Sequence, residues 1–137
     1  MFFCAIAAGS AVFTKAEFER SYNEVDNQSV LSELISVIPT EEKDSIVAYN
    51  CHPKFYILQD IQPCYRFFAL QDKQASVSLS MMKMLRTTFS EKTAKWILFE
   101  GNPDISYITD ILKNNYTVIR KSYDPELRRE IYLYSRK

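Results

Sequence analysis

The chain predicts a small α/β domain: a three-layer α/β/α sandwich of about five strands, with a mainly parallel sheet and an antiparallel hairpin at the C-terminus. Three observations carry this expectation. Helical stripes and short apolar runs alternate from Val30 to Asn115. The runs SIVAY (Ser45 to Tyr49) and KWILF (Lys95 to Phe99) are almost wholly apolar, as in strands covered on both faces. The last two runs, YTVIRK from Tyr116 and IYLY from Ile131, alternate in polarity around an Asp124-Pro125 turn signal.

The elements follow in order. Val30, Leu31, Leu34, Ile35 and Ile38 recur at helical spacing, with Asn27 or Ser29 as N-cap and Pro39 as the stop. The polar run TEEKD leads into a first strand, Ile46 to Tyr49. Lys54 to Asp60 fits one or two helical turns, and Tyr65 to Phe68 reads as a second strand. Val77, Met81, Met84, Leu85 and Phe89 share one face of the next helix. Its methionines read as flexible core filling. After the strand at Lys95 to Phe99, Asn102 and Pro103 suit an N-cap and a first helical residue. Ile105, Ile108, Ile111 and Leu112 form the stripe of that helix, and Asn114 and Asn115 suit a left-handed termination. Strands alternating with helices imply crossovers and a mainly parallel sheet.

Composition bounds the function. A length of 137 residues suits one domain. Residues 1–27 read as an apolar N-terminal helix and connector, and 28–137 as the α/β domain. The 17 basic and 17 acidic residues cancel, which leaves no excess to neutralise phosphates and argues against a nucleic-acid partner. Only two glycines, Gly9 and Gly101, are present. No Gly-rich turn follows the first strand, which argues against a nucleotide cofactor. Three cysteines (Cys4, Cys51, Cys64) and a single histidine, His52, are too few and too scattered for a zinc site. Cys51 and Cys64 are either two buried free thiols or, in an oxidising compartment, a bridge. The opening MFFCAIAAGSAVFT is apolar but shorter than the about 20 residues a membrane span needs. It is open to three readings: a core helix, the tail of a spanning helix, or a degenerate signal.

Candidate chemistry gathers at the carboxyl ends of the strands, where open α/β sheets bind ligands. These ends present Asn50, Cys51 and His52, and then Glu100, Gly101 and Asn102. Cys51, His52 and Asp60 suggest a nucleophile, base and orienter. Adjacent side chains leave a strand in opposite directions, however, so a capping or surface role for His52 is preferred. Glu100 could hold a ribose hydroxyl of a nucleotide or methyl donor, but reads better as a solvated strand-end residue. Asp72-Lys73 and the charged runs at 41–44 and 126–130 read as solvated surface.

The stretch SIVAYNCHPKFYILQDIQPCYRFF, together with three segments nearer the C-terminus, resembles the soluble tail of bacterial membrane glycosyltransferases of the C superfamily. These are similar to dolichyl-phosphate-mannose protein mannosyltransferases and lipid A aminoarabinose transferases. The residues that carry the resemblance are Pro39, Ser45 to Tyr49, Phe55 to Leu58 and Pro63 to Phe68. They continue through Lys95 to Gly101, Asn115 to Ile119 and Ile131 to Lys137.

The resemblance covers residues 28–137 and implies an extracytoplasmic, periplasmic domain following the last spanning helix of a larger enzyme. Such an enzyme moves a sugar from a polyprenyl-phosphate carrier to an envelope acceptor. Its acidic catalytic residues lie in loops that have no counterpart here. The implied role is therefore non-catalytic, with no cofactor and no metal. The implied partners are the membrane-embedded remainder and a lipid-linked sugar or acceptor. Asn50, His52, Tyr65 and Arg66 are the candidate contact residues. Two rival expectations stand beside this one. The first is a free-standing, degenerate methyltransferase-like protein with Glu100 on the cofactor. The second is a module that homodimerises through residues 1–14 or the edge hairpin.

Overall fold

The computed structural model of the chain describes residues 28–65, 70–91, 94–125 and 127–137. The apolar start at 1–27, with Cys4, lies outside these residues, as does Arg66. The elements run α1 (Gln28–Ile35), a 3-10 turn (Thr40–Ser45), β1 (Ile46–Tyr49), α2 (Lys54–Leu58), α3 (Gln71–Val77) and α4 (Leu79–Ser90). They continue through β2 (Trp96–Glu100), a 3-10 turn (Pro103–Ile105), α5 (Thr109–Asn115), β3 (Tyr116–Asp124) and β4 (Arg129–Arg136).

The α/β class holds, and helices cover both faces of the sheet. Alternation along the strands sends Ile46, Ala48, Trp96, Leu98, Ile131 and Leu133 to one side, against Leu31, Leu34 and Ile35 of α1 and Phe55 and Tyr56 of α2. Val47, Tyr49, Ile97, Phe99 and Tyr134 point to the other side. There they meet Ala75 of α3, Leu85 and Phe89 of α4, and Ile111 and Leu112 of α5.

The sheet itself corrects the expectation. Among the described residues it has four strands in the order β1-β2-β4-β3. Only β1 and β2 are parallel, and the other two pairings are antiparallel. The hairpin forms as expected but folds inward, so that β4 lies between β2 and β3. Burial explains the choice. Ile131, Leu133 and Tyr134 of β4 are buried from both faces, while the middle of β3, Thr117 to Lys121, is exposed and belongs at an edge. The expected strand at 65–68 lies largely outside the described residues, and its first residue, Tyr65, sits in a bend.

Three smaller expectations also change. Val77 does not share the α4 stripe and is 81% exposed, because Ser78 turns extended and its hydroxyl caps the next helix at Met81. Ile105 is also 81% exposed. Asn102 and Pro103 do start a helical turn, but it lasts only to Ile105, and α5 begins afresh at Thr109. Asn115 passes directly into β3, so α5 ends without a left-handed residue. The Asp124-Pro125 turn forms as read: Asp124 Oδ1 accepts from the Leu127 amide at 3.0 Å, and Arg128 turns left-handed.

Candidate functional site: the carboxyl rim of β1 and β2

β1 ends at Tyr49, and Asn50 turns left-handed (φ 60°). α3 arrives beside it through Leu70, also left-handed (φ 52°). This brings Gln71 and Asp72 against the strand end. Gln71 is fully buried, with 0% exposure. Its Nε2 donates to the Ala48 carbonyl at 3.2 Å, and its Oε1 accepts from the Asn50 amide at 2.6 Å. One side chain thereby satisfies two groups on the edge of β1 that faces away from β2. Tyr56 closes a third group, its hydroxyl oxygen accepting from the Ala48 amide at 2.8 Å.

Asp72 is the hub of the rim. Its Oδ1 accepts from the Tyr49 hydroxyl (2.7 Å), the Ser106 hydroxyl (2.9 Å) and the Tyr107 amide (3.1 Å). Its Oδ2 accepts from Asn50 Nδ2 at 2.8 Å, while its own amide donates to Asn50 Oδ1 at 3.0 Å. One carboxylate thus ties β1, α3 and the loop after β2 together. Burial, reinforced by the Asp72 charge, pushes the Tyr49 phenol far above its ordinary value, so it is a fixed donor and never a base near neutral pH. The reading of Asp72-Lys73 as plain solvated surface holds for exposed Lys73 and fails for Asp72.

Glu100 is likewise not solvated. It is 7% exposed, and Arg129 Nη1 donates to its Oε1 at 2.6 Å across the β2–β4 pair. Between these groups lies a cleft of about 370 Å³, lined by Asn50, Asp72, Lys73, Glu100, Asn102 and Arg129 and flanked by Leu70, Gly101 and Ile105.

The candidate contact residues separate. Asn50 lines the rim cleft. His52 is exposed, and its Nδ1 accepts from the Lys54 amide at 3.2 Å, which caps the turn into α2. Tyr65 packs its ring edge-on to Phe89, with centroids 5.7 Å apart. Nor do Cys51, His52 and Asp60 form a triad. Cys51 points into the core at 1% exposure, its thiol 3.5 Å from the carbonyls of Tyr49 and Leu98. Burial, then the charge of Glu100, push that thiol well above its ordinary value and keep it protonated. Cys51 and Cys64 are both free, and Cys64 is exposed rather than buried.

Gln71, Asp72, Ser106 and Arg129 escaped the sequence reading. The only local signal was weak: a polar pair opening a helix after the apolar run that ends at Leu70. Among the described residues, no group of three or more His, Cys, Asp or Glu is placed to hold a metal ion. Among them, too, no helix is long and apolar enough to cross a membrane. A second, mostly apolar cleft of about 440 Å³ lies beside α2, between Pro53 and Pro63. Compared with protein-family models, curated proteins and solved structures, the chain matches none.

Proposed function

We propose that this chain is a non-catalytic, ligand-contacting domain belonging to a membrane glycosyltransferase of the C superfamily, facing the extracytoplasmic side. One observation supports the contact role above the others: the acidic groups of the rim are already engaged. Asp72 accepts four hydrogen bonds and Glu100 is paired with Arg129. Such groups can present a polar surface but are poorly placed to take a proton or attack a substrate. The residues of the resemblance add support, because SIVAY, KWILFEG and IYLYSRK supply three adjacent strands of the sheet, β1, β2 and β4, and their flanks.

The test has two arms. The coding sequence around this domain should encode a series of long apolar helices, and a frame without them would remove the membrane setting. The isolated chain should give no turnover with a polyprenyl-phosphate sugar, and turnover would remove the non-catalytic role.

The homodimer reading has the exposed Val118, Ile119 and Tyr123 of edge strand β3 in its favour. Arg120, Lys121 and the irregularity between Val118 and Arg120 oppose strand-to-strand addition there. Sedimentation of the full chain decides it.

A further inference from the structure

We propose that the rim cleft binds a neutral, polyhydroxylated ligand with the chemistry of a sugar ring. The proposal rests on the preceding reading for its biological setting, but not for its chemistry.

The first argument is charge. Lys73 and Arg129 are the cations of the cleft, and Asp72 and Glu100 its anions, so the lining is neutral in sum. Arg129 already faces Glu100 at 2.6 Å. An anionic ligand would have to compete with that carboxylate.

The second argument is the backbone. Phosphates favour converging free amides. Here the Asn50 amide goes to Gln71, the Asp72 amide to Asn50, the Gly101 amide to the Glu130 carbonyl (2.9 Å) and the Asp104 amide to Asn102 (3.0 Å). These four amides are therefore in use and do not converge on the cleft, and the side chains form most of the recognition surface. They offer amide, carboxylate, ammonium and guanidinium groups, a mixture of donors and acceptors that suits hydroxyls, which both donate and accept.

The third argument is shape. The volume falls in the roughly 300–1,000 Å³ range of small-molecule sites. Exposed Leu70 and Ile105 flank the polar groups and supply aliphatic surface for the C–H face of a ring. Gly101 has φ +107°, and a Cβ placed on it would meet nothing within 4 Å, so the space above it is open to a ligand. Asn50 and Leu70 are non-glycine residues with positive φ, and both line this one cleft. Backbone strain clusters in this way at sites that must hold a shape.

The test is a two-dimensional amide NMR titration of the full chain. The probes are the methyl glycosides of glucose, mannose and N-acetylglucosamine, with inorganic phosphate as a separate arm. At least one glycoside should shift the Asn50, Lys73, Gly101 and Asn102 signals along a saturable curve, while phosphate leaves them in place. Ile105→Ala, at an exposed position that the fold does not need, should weaken saturation by about threefold to tenfold.

Glu100→Gln removes the negative charge that faces Arg129, leaves the cleft with a net positive charge and should give it the phosphate binding that the parent chain lacks. If that variant fails to fold, the parent titration and Ile105→Ala decide alone. Three results would overturn the proposal: silence of these signals with all three glycosides, phosphate shifting them in the parent chain, or unchanged saturation in Ile105→Ala. None of these bears on the flanking coding sequence, so the membrane reading stands or falls separately.

Discussion

Replacing Gln71 by Met tests the role of this side chain as a substitute strand. Methionine is similar in length, so the buried volume around α3 changes little. What disappears is the amide that serves the Ala48 carbonyl at 3.2 Å and the Asn50 amide at 2.6 Å. Gln71 is 0% exposed, so water cannot readily take its place. Each orphaned backbone group costs about 1–3 kcal/mol, and two give about 2–6 kcal/mol. A domain of this size has about 5–15 kcal/mol of stability in all. With a urea m-value near 2 kcal/mol/M, the midpoint should fall by about 1–3 M without a change in slope. Gln71→Glu sharpens the test. It keeps an acceptor for the Asn50 amide but loses the donor to Ala48 and buries a charge, so it should cost at least as much as methionine. A midpoint shift below about 0.5 M for Gln71→Met would refute the edge-sealing argument.

The same geometry yields three more expectations. Asp72→Asn leaves one oxygen for four donors and turns an NH₂ toward some of them, so it should lower stability by about 2 kcal/mol and Tm by about 6–10 °C in a thermal melt. An unchanged Tm would show that the rim is not held by this carboxylate. At the opposite end of the sheet, Glu42 takes hydrogen bonds from Lys95 and, at 2.8 Å, from the indole of Trp96, the one tryptophan in the chain. These two bonds, Lys95 first, hold its carboxyl below the ordinary 4.5. A lowered folded value places the stabilisation above that ordinary value, and it is lost as pH falls through the folded one. The urea midpoints of parent and Glu42→Gln, read by Trp96 fluorescence, should therefore differ at neutral pH and converge well below 4.5. A gap that stays constant with pH would contradict the clasp. Finally, a thiol reagent followed by peptide mapping should modify Cys64 in the native chain and Cys51 only after denaturation, given their exposures. Native labelling of Cys51 would mean that its side of the core opens.

The parts of the fold legible in the sequence are those whose burial leaves a local pattern. IVAY and WILFE are apolar almost throughout, and both are strands buried on both faces. Leu31, Leu34, Ile35 and Ile38 carry the helical period and are all buried. Strand order leaves no such pattern, because it depends on which of two alternating strands has more surface to hide. Comparing the hairpin arms would have shown it: Arg120 and Lys121 suit an edge, whereas Ile131, Leu133 and Tyr134 need neighbours on both sides. The helix breaks were missed for a related reason. Val77 and Ile105 extend their stripes in period, but the hydroxyl of Ser78 and the turn at Asn102 to Ile105 compete locally and win.

The rim was only half legible, and the reason is physical. The ends of the strands point to Asn50 and Glu100 because ligand geometry in α/β sheets is set by topology. Nothing local predicts that Gln71 and Asp72, about twenty residues further on, complete the same site. They do so because β1 has β2 on one side, while its Ala48 carbonyl and Asn50 amide on the other side still require partners in a buried setting. A glutamine entering from a left-handed Leu70 meets that need without another backbone segment at those two groups. Its neighbour Asp72 is then carried to the strand end, where the Tyr49, Asn50 and Ser106 side chains all donate to it. The cleft is thus a consequence of how an edge strand is closed: side chains that satisfy backbone leave a polar concavity where a further strand would have left a flat one. On this view, loosening Gln71 should also dull the rim. In Gln71→Met, the amide signals of Asn50 and Lys73 should broaden or shift even without ligand, whereas those of β3, at the far edge of the sheet, should not.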